Sequence, residues 1–447
     1  MNRPPLVATD RWRSWGRVVR AEHAVVAPRH RDEIRAALEC ATEERSHALA
    51  VGLGRSYGDS GLNPGGALID MRGVDRLIAF DAATGILRAE AGASLWDILA
   101  FAIPRGYFLP TTPGTRFVTL AGAIANDVHG KNHHRAGSFG RFVRRIGLLR
   151  SDEGVLDIGP NYETALFNAT IGGLGLTGII LWAEIALAPI RSSRIEQETI
   201  PFGSIDEFFN LAAESAQTWE HTVAWVDCLA AGKNLGRGNF TRGNWAASGP
   251  LEVRRARRGP SIPIDAPTFL LNRVTLRAFN EAYWRAQRLG AGKSNVAYDT
   301  CFYPLDAIGD WNRLYGRLGF YQYQSVVPPN AEREATRAML EAIAAAGQGS
   351  FLAVLKTFGP LESPGLLSFP MEGVTLALDF PNRGQKTLDL LARLDAIVAE
   401  AGGRLYPAKD GRLPAAMFRK GYSAAEAFAK HVDPKLSSGF WTRMSEG

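Results

Sequence analysis

The stretch GLGRSYGDSGLNPGG, residues 52–66, contains six glycines among fifteen residues. Glycine at this density costs conformational entropy and is typical of a backbone that passes close to another group. Three more glycine-rich stretches follow it: TPGT at 112–115, AGAIANDVHGKN at 121–132 and IGGLGLTG at 171–178. Any one of them predicts a turn. Four of them, beside Thr, Ser, Asn, Asp and His, indicate backbone N–H groups that hold an extended anionic ligand such as a pyrophosphate.

One of these stretches contains a G-x-G-x-x-G match at Gly173, Gly175 and Gly178. The match follows a predicted helix and precedes a predicted strand. A dinucleotide-binding fingerprint needs the opposite order, because its phosphates bind at the N-terminus of the helix that follows the glycines. The pattern therefore does not predict a Rossmann fold.

The whole chain has the composition of a soluble globular protein. Its 447 residues predict two domains, since a single core stops growing at about 250–300 residues. Hydrophobic residues make up 46% and the net charge is +6, which does not require a nucleic acid partner. Cys40, Cys228 and Cys301 share no metal or disulfide spacing and favour a reducing compartment. We expect no secretory signal and no membrane-spanning segment.

The sequence after Pro189 alternates between strand and helix patterns. HTVAWVDCL (221–229), FYQYQSVVP (320–328) and VTLALDF (374–380) are typical of strands, and the segments at 330–349 and 385–403 of helices. This order predicts an α+β domain with an antiparallel sheet and helices on one face. Residues 232–265, which include VRRARRGPSIP, are rich in Gly, Arg and Pro and predict a mobile surface loop.

Longer motifs carry a resemblance to a known family. GLGRSYGD (52–59), PGTRFVTLAGAIANDVHGKNHHRAGSFG (113–140) and LFNATIGGLGLTGII (166–180) resemble the vanillyl-alcohol-oxidase (PCMH) type of FAD-linked oxidoreductases. WNRLYGRLGFYQYQSVVP (311–328) and GGRLYPAKDGR (402–412) are similar to its decaprenylphosphoryl-β-D-ribose 2'-oxidase branch, the FAD subunit of a 2'-epimerase. The resemblance covers nearly the whole chain.

This resemblance implies a two-domain FAD-binding fold. The YPAKD segment follows the second domain yet matches a cofactor site. We therefore expect a discontinuous FAD-binding domain at 1–190 and 404–447, and an antiparallel-sheet substrate domain at 191–403.

The implied cofactor is non-covalently bound FAD. Covalent members of the family carry their attachment histidine in the first glycine loop, and residues 48–128 contain no histidine. On its own, Tyr57 in that loop predicts a packing aromatic; the resemblance places it at the flavin. The cofactor-binding residues implied are Gly52, Leu53, Gly54, Arg55, Ser56, Tyr57, Gly58, Asp59, Gly114, Thr115, Thr119, Ala121, Gly122, Asn126, His129, Gly130, Ile179, Ile180 and Tyr406.

The implied catalytic residues are Lys409, His129 and Tyr57. A lone lysine is usually solvated, but the resemblance places Lys409 at the flavin, where its charge would polarise the sugar hydroxyl and stabilise the reduced cofactor. A metal site is an alternative interpretation of His129, His133 and His134. We do not expect one, because the surrounding chain is a glycine loop and not a helix that carries ligands. The implied substrate-binding residues are Lys131, Tyr315, Gln322, Gln324, Lys356 and Ala377, the last where mycobacterial-type enzymes carry cysteine.

Three functions are compatible with these residues. The first is oxidation of the 2'-hydroxyl of a polyprenylphosphoryl-β-D-ribose, with a separate NAD(P)H-dependent keto-reductase that completes the epimerisation. The second is oxidation of a soluble polyol, sugar or aldonolactone, and the third is a non-catalytic FAD-fold binding protein. For the first we expect a cytoplasmic protein, peripheral at the inner face of the membrane, which its four loop arginines contact: Arg254, Arg255, Arg257 and Arg258.

Overall fold

The computed structural model describes residues 5–9, 12–254 and 260–446 of the chain. Up to residue 190, short strands and α-helices alternate along it. The strands are β1 Val7–Thr9, β2 His23–Val26, β3 Ala48–Val51, β4 Ala67–Asp70, β5 Leu77–Asp81, β6 Ile86–Glu90, β7 Tyr107–Phe108, β8 Val143–Arg150, β9 Gly154–Ile158, β10 Ile179–Ala186 and β11 Ala188–Pro189. The helices are α1 Ile34–Glu44, α2 Leu95–Ala102, α3 Leu120–Ala125, α4 His133–Ala136 and α5 Thr164–Thr170.

These strands form two sheets and a strand pair. β1, β2, β4 and β3 lie in that order, with β2 and β3 both parallel to β4. Every residue of β4, ALID, is buried, as expected for a parallel strand that is covered on both faces. β5, β6, β10, β8 and β9 form an antiparallel sheet, and β7 pairs with β11. The glycine-rich stretches connect these elements and lie at their ends.

The rest of the chain contains one large sheet. Its strands are β12 Arg194–Phe202, β13 His221–Val226, β14 Gly238–Trp245, β15 Gly292–Ala297, β16 Phe320–Val327, β17 Ala353–Phe358, β18 Gly373–Pro381 and β19 Arg404–Leu405. Its helices are α6 Ile205–Ser215, α7 Arg273–Leu289, α8 Tyr298–Phe302, α9 Glu332–Ala346, α10 Gln385–Glu400, α11 Ala415–Gly421, α12 Ala425–Ala429 and α13 Gly439–Glu446. None of the helices in the described part of the chain is long and apolar enough to span a bilayer.

The large sheet is antiparallel throughout, in the order β15-β12-β14-β13-β17-β18-β16-β19. One face packs on α6, α9 and α10 through a buried apolar cluster that includes Phe208, Leu340, Leu376 and Leu394. The other face carries polar side chains toward the first sheets. The α+β class predicted from the sequence is confirmed.

The C-terminal segment returns to the first sheets after passing the large one. Leu405 of β19 pairs with Ser325 of β16. Further on, the N–H of Ser437 donates to the carbonyl of Ala48 at 3.0 Å, and the N–H of Ser151 donates to the carboxylate of Asp433 at 2.7 Å. A discontinuous first domain requires contacts of this kind. Its boundaries at 190 and 404 stay a prediction.

The loop predicted over residues 232–265 is wrong where β14 lies. Gly238–Trp245 forms eight residue pairs with β12 and also pairs with β13, inside the sheet. The glycines that suggested a loop serve close packing instead: a Cβ on Gly238 would lie 2.1 Å from the carbonyl oxygen of Trp225. Of the four arginines, Arg254 is described, with its Nε 3.7 Å from the carboxylate of Asp299. The other three lie outside the described residues: Arg255, Arg257 and Arg258.

Candidate active site

One large cavity, about 1280 Å³ in volume, lies between the glycine loops and the polar face of the large sheet. Pockets for drug-sized ligands measure about 300–1,000 Å³. This cavity therefore has room for a dinucleotide and for part of a second molecule. Its walls come from every one of the four glycine-rich stretches and from strands β12, β13, β14, β16, β17 and β18.

The first glycine loop forms a wall that suits an anion. The N–H groups of Gly54, Arg55 and Ser56 have no hydrogen-bond partner within the described residues. The hydroxyls of Ser14 and Ser60, which also line the cavity, are buried and without a partner there. Successive free N–H groups and hydroxyls fit a pyrophosphate, because its oxygens accept the hydrogen bonds that these groups need. The Arg55 side chain, whose guanidinium lies 4.0 Å from the Trp15 ring, adds a positive charge.

Three lysines also line the cavity. Lys131 comes from the glycine-rich stretch at 121–132, Lys356 from β17 and Lys409 from the C-terminal return. Each is partly accessible because it lines the cavity, yet protein surrounds each ammonium group closely enough to disfavour its charge. Burial, with repulsion from the other lysines, lowers the pKa of Lys356 to about 7. Burial also lowers the pKa of Lys409 to about 8, although Asp379 opposes the shift.

Lys409 is held above Tyr57. Its Nζ lies 3.9 Å from the centroid of the Tyr57 ring, and its backbone N–H donates to the carbonyl of Tyr406 at 3.0 Å. Lys131 instead donates a hydrogen bond to the carbonyl of Cys301. The ammonium group of Lys131 is thus held by a hydrogen bond, whereas that of Lys409 is held by an aromatic face. Because a ring face takes up no specific N–H donor, the N–H groups of Lys409 stay free to donate to a ligand.

His129 connects the first domain to the large sheet. The amide nitrogen of Gln324 donates to Nε2 of His129 at 3.1 Å, and the Tyr406 hydroxyl donates to the carbonyl of Asn126 at 2.8 Å. Burial, with repulsion from Lys356, keeps the pKa of His129 well below its ordinary value. The imidazole is therefore neutral at physiological pH, and it accepts the hydrogen bond that fixes the Gln324 amide.

Asp379, a buried carboxylate behind the cavity wall, is a candidate functional residue that reasoning from sequence missed. It is 1% exposed, it lies on β18 two residues after Ala377, and it accepts a hydrogen bond from the Gln322 amide at 2.9 Å. Burial raises its pKa to about 7, against the effect of Lys409. A carboxylate inside the otherwise apolar strand VTLALDF was the signal that could have found it, because an acidic residue is rarely buried without a partner.

Most of the predicted site residues line the cavity. As expected, the structure brings the following residues together at one cavity: Gly52 to Tyr57, His129, Lys409 and the two glutamines of β16. The cavity wall also includes these predicted residues: Gly114, Thr115, Thr119, Ala121, Gly122, Asn126, Gly130, Lys131, Ile180, Lys356, Ala377 and Tyr406.

Four predicted residues do not line the cavity. Gly58 packs against the backbone of Asp410, and Asp59 pairs with Arg443 at 2.9 Å. Ile179 is fully buried in the core of the first sheets. Tyr315 lies behind the wall, where its ring stacks on Phe320 with centroids 4.1 Å apart. These four residues therefore support the wall instead of contacting a ligand.

Part of the wall had no counterpart in the prediction. The side chains concerned come from neighbouring strands of the large sheet: Gln197, Thr199, Trp225, Asn239 and Thr241. Alternation along each strand places them on one face. Which strands lie beside one another is set by the fold, and the single sequence did not reveal it.

Comparisons with known proteins agree with this geometry. Residues 23–159 match the family model described as an FAD binding domain. Over 442 residues the chain is 37% identical to decaprenylphosphoryl-beta-D-ribose oxidase of Mycolicibacterium smegmatis, with 95% of each chain covered. It is 32% identical over 362 residues to a Streptomyces coelicolor protein encoded in the mprA 5' region, covering 76% of this chain and 96% of that one. It is 26% identical over 177 residues to L-gulono-1,4-lactone dehydrogenase of Mycobacterium tuberculosis, which covers 39% of this chain and 41% of that one.

The buried lysines predict a specific pH dependence of stability. Lys356 has a folded-state pKa of about 7 against an ordinary value of 10.5. The unfolded chain therefore binds more protons between these values, and this residue's destabilising effect disappears as the pH rises through them. We expect Lys356→Met to raise the free energy of unfolding by about 1–3 kcal/mol at pH 6.5.

Thermal unfolding at pH 6.5 and near pH 10 checks this expectation. The gain should shrink at the higher pH, where the parent lysine is neutral in the folded protein. Lys386→Met, at an exposed lysine on α10, should show no such gain. A stabilisation that is equal at both pH values would mean that packing, and not charge, is the cause.

Proposed function

Because the chain belongs to the decaprenylphosphoryl-β-D-ribose oxidase family, we propose that it oxidises the 2'-hydroxyl of a polyprenylphosphoryl-β-D-ribose to the 2-keto sugar. The chain is an FAD-dependent oxidoreductase, as the motifs at 52–59 and 113–140 predicted, and its cofactor is FAD. The keto sugar would be the intermediate of an epimerisation that yields an arabinose donor for cell-wall polysaccharide.

The single observation that carries this substrate class is the group of lysines. Lys131, Lys356 and Lys409 bring three ammonium groups into one cavity. Buried charge of one sign is costly without a counter-charge. A phosphate-linked sugar supplies that counter-charge, whereas a neutral polyol or aldonolactone does not.

Bound FAD would take up the hydrogen and two electrons that leave the sugar carbon. The residues around it then have separate tasks. Lys409, above Tyr57, donates a hydrogen bond to the reacting hydroxyl and lowers the cost of negative charge on its oxygen. The carbonyl oxygen of Gln322, which has no partner within the described residues, accepts a second sugar hydroxyl.

Asp379 has a place in the proton balance. Its pKa of about 7 lies close to that of Lys409 at about 8, so both groups can change protonation state near neutrality. Lys409 can give a proton to the Asp379 carboxylate and take up the proton that leaves the sugar hydroxyl, so that the net transfer is from the hydroxyl to Asp379. Gln322 keeps the carboxylate in position through its 2.9 Å hydrogen bond.

The two other functions are less well supported. The lactone dehydrogenase relative matches only 39% of the chain, whereas the decaprenylphosphoryl ribose oxidase matches 95%, which includes the large sheet. That sheet supplies the part of the cavity where a substrate would lie. A non-catalytic binding protein would not need a lysine with a lowered pKa held over an aromatic ring.

The proposal includes partners and a location. A separate NAD(P)H-dependent keto-reductase would reduce the keto sugar and complete the epimerisation. The protein would act in the cytoplasm, peripherally at the inner face of the cell membrane, because a prenyl chain stays in the bilayer at about 0.8 kcal/mol per buried methylene. No nucleic acid enters this proposal.

Anaerobic bleaching of the flavin by substrate tests the function. A short-chain prenylphosphoryl ribose should reduce the bound FAD, and ribose 5-phosphate and L-gulono-1,4-lactone should reduce it far more slowly. The reason is that only the first compound combines the phosphodiester with the sugar hydroxyl to be oxidised. Equal reduction by the lactone would contradict the proposal and favour the soluble-substrate alternative.

The flavin should be released when the protein is denatured. The loop that carries the attachment histidine in covalent family members has Tyr57 here, and residues 48–128 contain no histidine. Acid precipitation should therefore leave all yellow colour in the supernatant. Colour in the pellet, or a flavin-bearing peptide after digestion, would show a covalent bond and overturn this prediction.

Lys409→Ala should slow flavin reduction by about 10²–10⁴-fold, because a charge placed on the reacting hydroxyl is lost. FAD content should stay near that of the parent, and the melting temperature should not fall. Lys386→Ala, at an exposed lysine, is the matched control and should reduce normally. Added ethylamine should restore part of the rate to Lys409→Ala alone. Near-parental reduction by that variant at full FAD occupancy would exclude the role given to Lys409.

A further inference from the structure

Helix α7, Arg273–Leu289, is attached to the protein along a narrow line. Only Leu276 and Asn280 are buried among its seventeen residues. Asn280 donates to the carboxylate of Asp227 at 3.0 Å and so fixes the helix over the large sheet. Twelve of the other fifteen residues are exposed, which is unusual for a helix of this length in a protein that buries most of its apolar residues.

The open surface is strongly apolar. Seven of the twelve large hydrophobic residues that are exposed in the described part of the chain lie between residues 264 and 289. Phe269 is 75% exposed, Val274 76% and Leu289 92%. Scattered exposed hydrophobics need no explanation, but a concentration in one short segment marks an interaction surface.

One flank of the helix is basic. Arg277, Arg285 and Arg288 follow one another at helical spacing on the side away from Phe279. The only acidic residue of α7, Glu281, already pairs with Arg237 and with Arg285. No carboxylate within the described residues pairs with Arg277 or Arg288. We name the exposed residues Phe269, Val274, Arg277, Arg285, Arg288 and Leu289 the α7 face.

The other side of α7 borders the cavity. Leu270, which follows Phe269 in the chain, lines the cavity wall together with Phe279 and Tyr283. The rings of Phe279 and Tyr283 are stacked with centroids 5.9 Å apart, and Phe279 also contacts Phe351. Exposed apolar side chains therefore lead from Phe269, in the α7 face, through Leu270 to the apolar wall of the cavity.

We propose that the α7 face docks on the surface of an anionic phospholipid bilayer. Apolar side chains beside three arginines, of which Arg277 and Arg288 have no carboxylate partner within the described residues, match the acyl region and the acidic headgroups of such a surface. The path along Leu270 and Phe279 would let a prenyl chain stay in the bilayer while its phosphosugar reaches the cavity, a point that rests on the proposed function. The charge of the flank argues against a second copy of this basic chain as the occupant.

Vesicle co-sedimentation tests the docking with the FAD-loaded protein. The vesicles contain phosphatidylcholine alone or mixed with phosphatidylglycerol. One variant removes the apolar residues, Phe269→Ser with Val274→Ser and Leu289→Ser; another removes the charges, Arg277→Gln with Arg285→Gln and Arg288→Gln. None of these residues lines the cavity. Each variant should bind the anionic vesicles at least about tenfold more weakly than the parent.

Two matched controls identify the surface. One control variant removes the same amount of charge from exposed sites elsewhere, through Arg35→Gln, Arg144→Gln and Arg393→Gln. It should bind the anionic vesicles like the parent. A second control variant tests the basic segment VRRARRGPSIP by replacing Arg254, Arg255, Arg257 and Arg258 with glutamine. This variant should keep most of the parent's binding to anionic vesicles. Binding by the parent should require phosphatidylglycerol and fall with salt.

Several results would overturn the docking. They are no binding by the parent, an equal loss in the Arg35, Arg144 and Arg393 control, and a loss confined to the VRRARRGPSIP variant. A parent that is dimeric, with dimers dissociated by the α7 substitutions, would assign the α7 face to a second copy. Turnover of a soluble short-chain substrate is measured in parallel. Turnover without vesicle binding refutes the docking alone, and vesicle binding without turnover supports the docking while refuting the proposed substrate.

Discussion

The active site depends on a contact between two backbones that only glycine permits. A Cβ on Gly58 would lie 1.4 Å from the carbonyl oxygen of Asp410, so any side chain would drive the glycine loop away from the C-terminal return. Because the two segments meet, the N–H of Tyr57 donates to the carbonyl of Ala408 at 3.0 Å and Lys409 lies over the Tyr57 ring. The chain leaves the first sheets, builds the large sheet and returns to close the cavity at this point.

The cavity concentrates charge that the fold alone would not favour. Lowered pKa values at Lys356 and Lys409 and a raised pKa at Asp379 share one cause, which is burial away from water. Stability would gain from apolar residues at these positions. We propose that phosphate-carrying ligands explain the two lysines, with the anion wall at Gly54 to Ser56 holding the cofactor and the lysines holding the substrate.

The sequence could predict the parts of the site that are local in the chain. The glycine loop, the His129 block and the YPAKD segment each carry a motif, and the structure brings them to one cavity. Asp379 and the wall residue Trp225 were missed because their roles come from pairing between distant strands, as β17 with β13 and β18. β14 was mistaken for a loop because Gly238 and Gly243, which suit turns, serve close packing inside the sheet.

A crystal structure of the FAD-loaded protein would show whether the contact between Gly58 and Asp410 positions Lys409 at the cofactor. The pyrophosphate should contact the backbone of Gly54 to Ser56, and the flavin ring should lie between Tyr57 and Gln324, in contact with Lys409. A flavin ring elsewhere in the cavity, with Lys409 far from it, would show that the contact between Gly58 and Asp410 does not position a catalytic lysine.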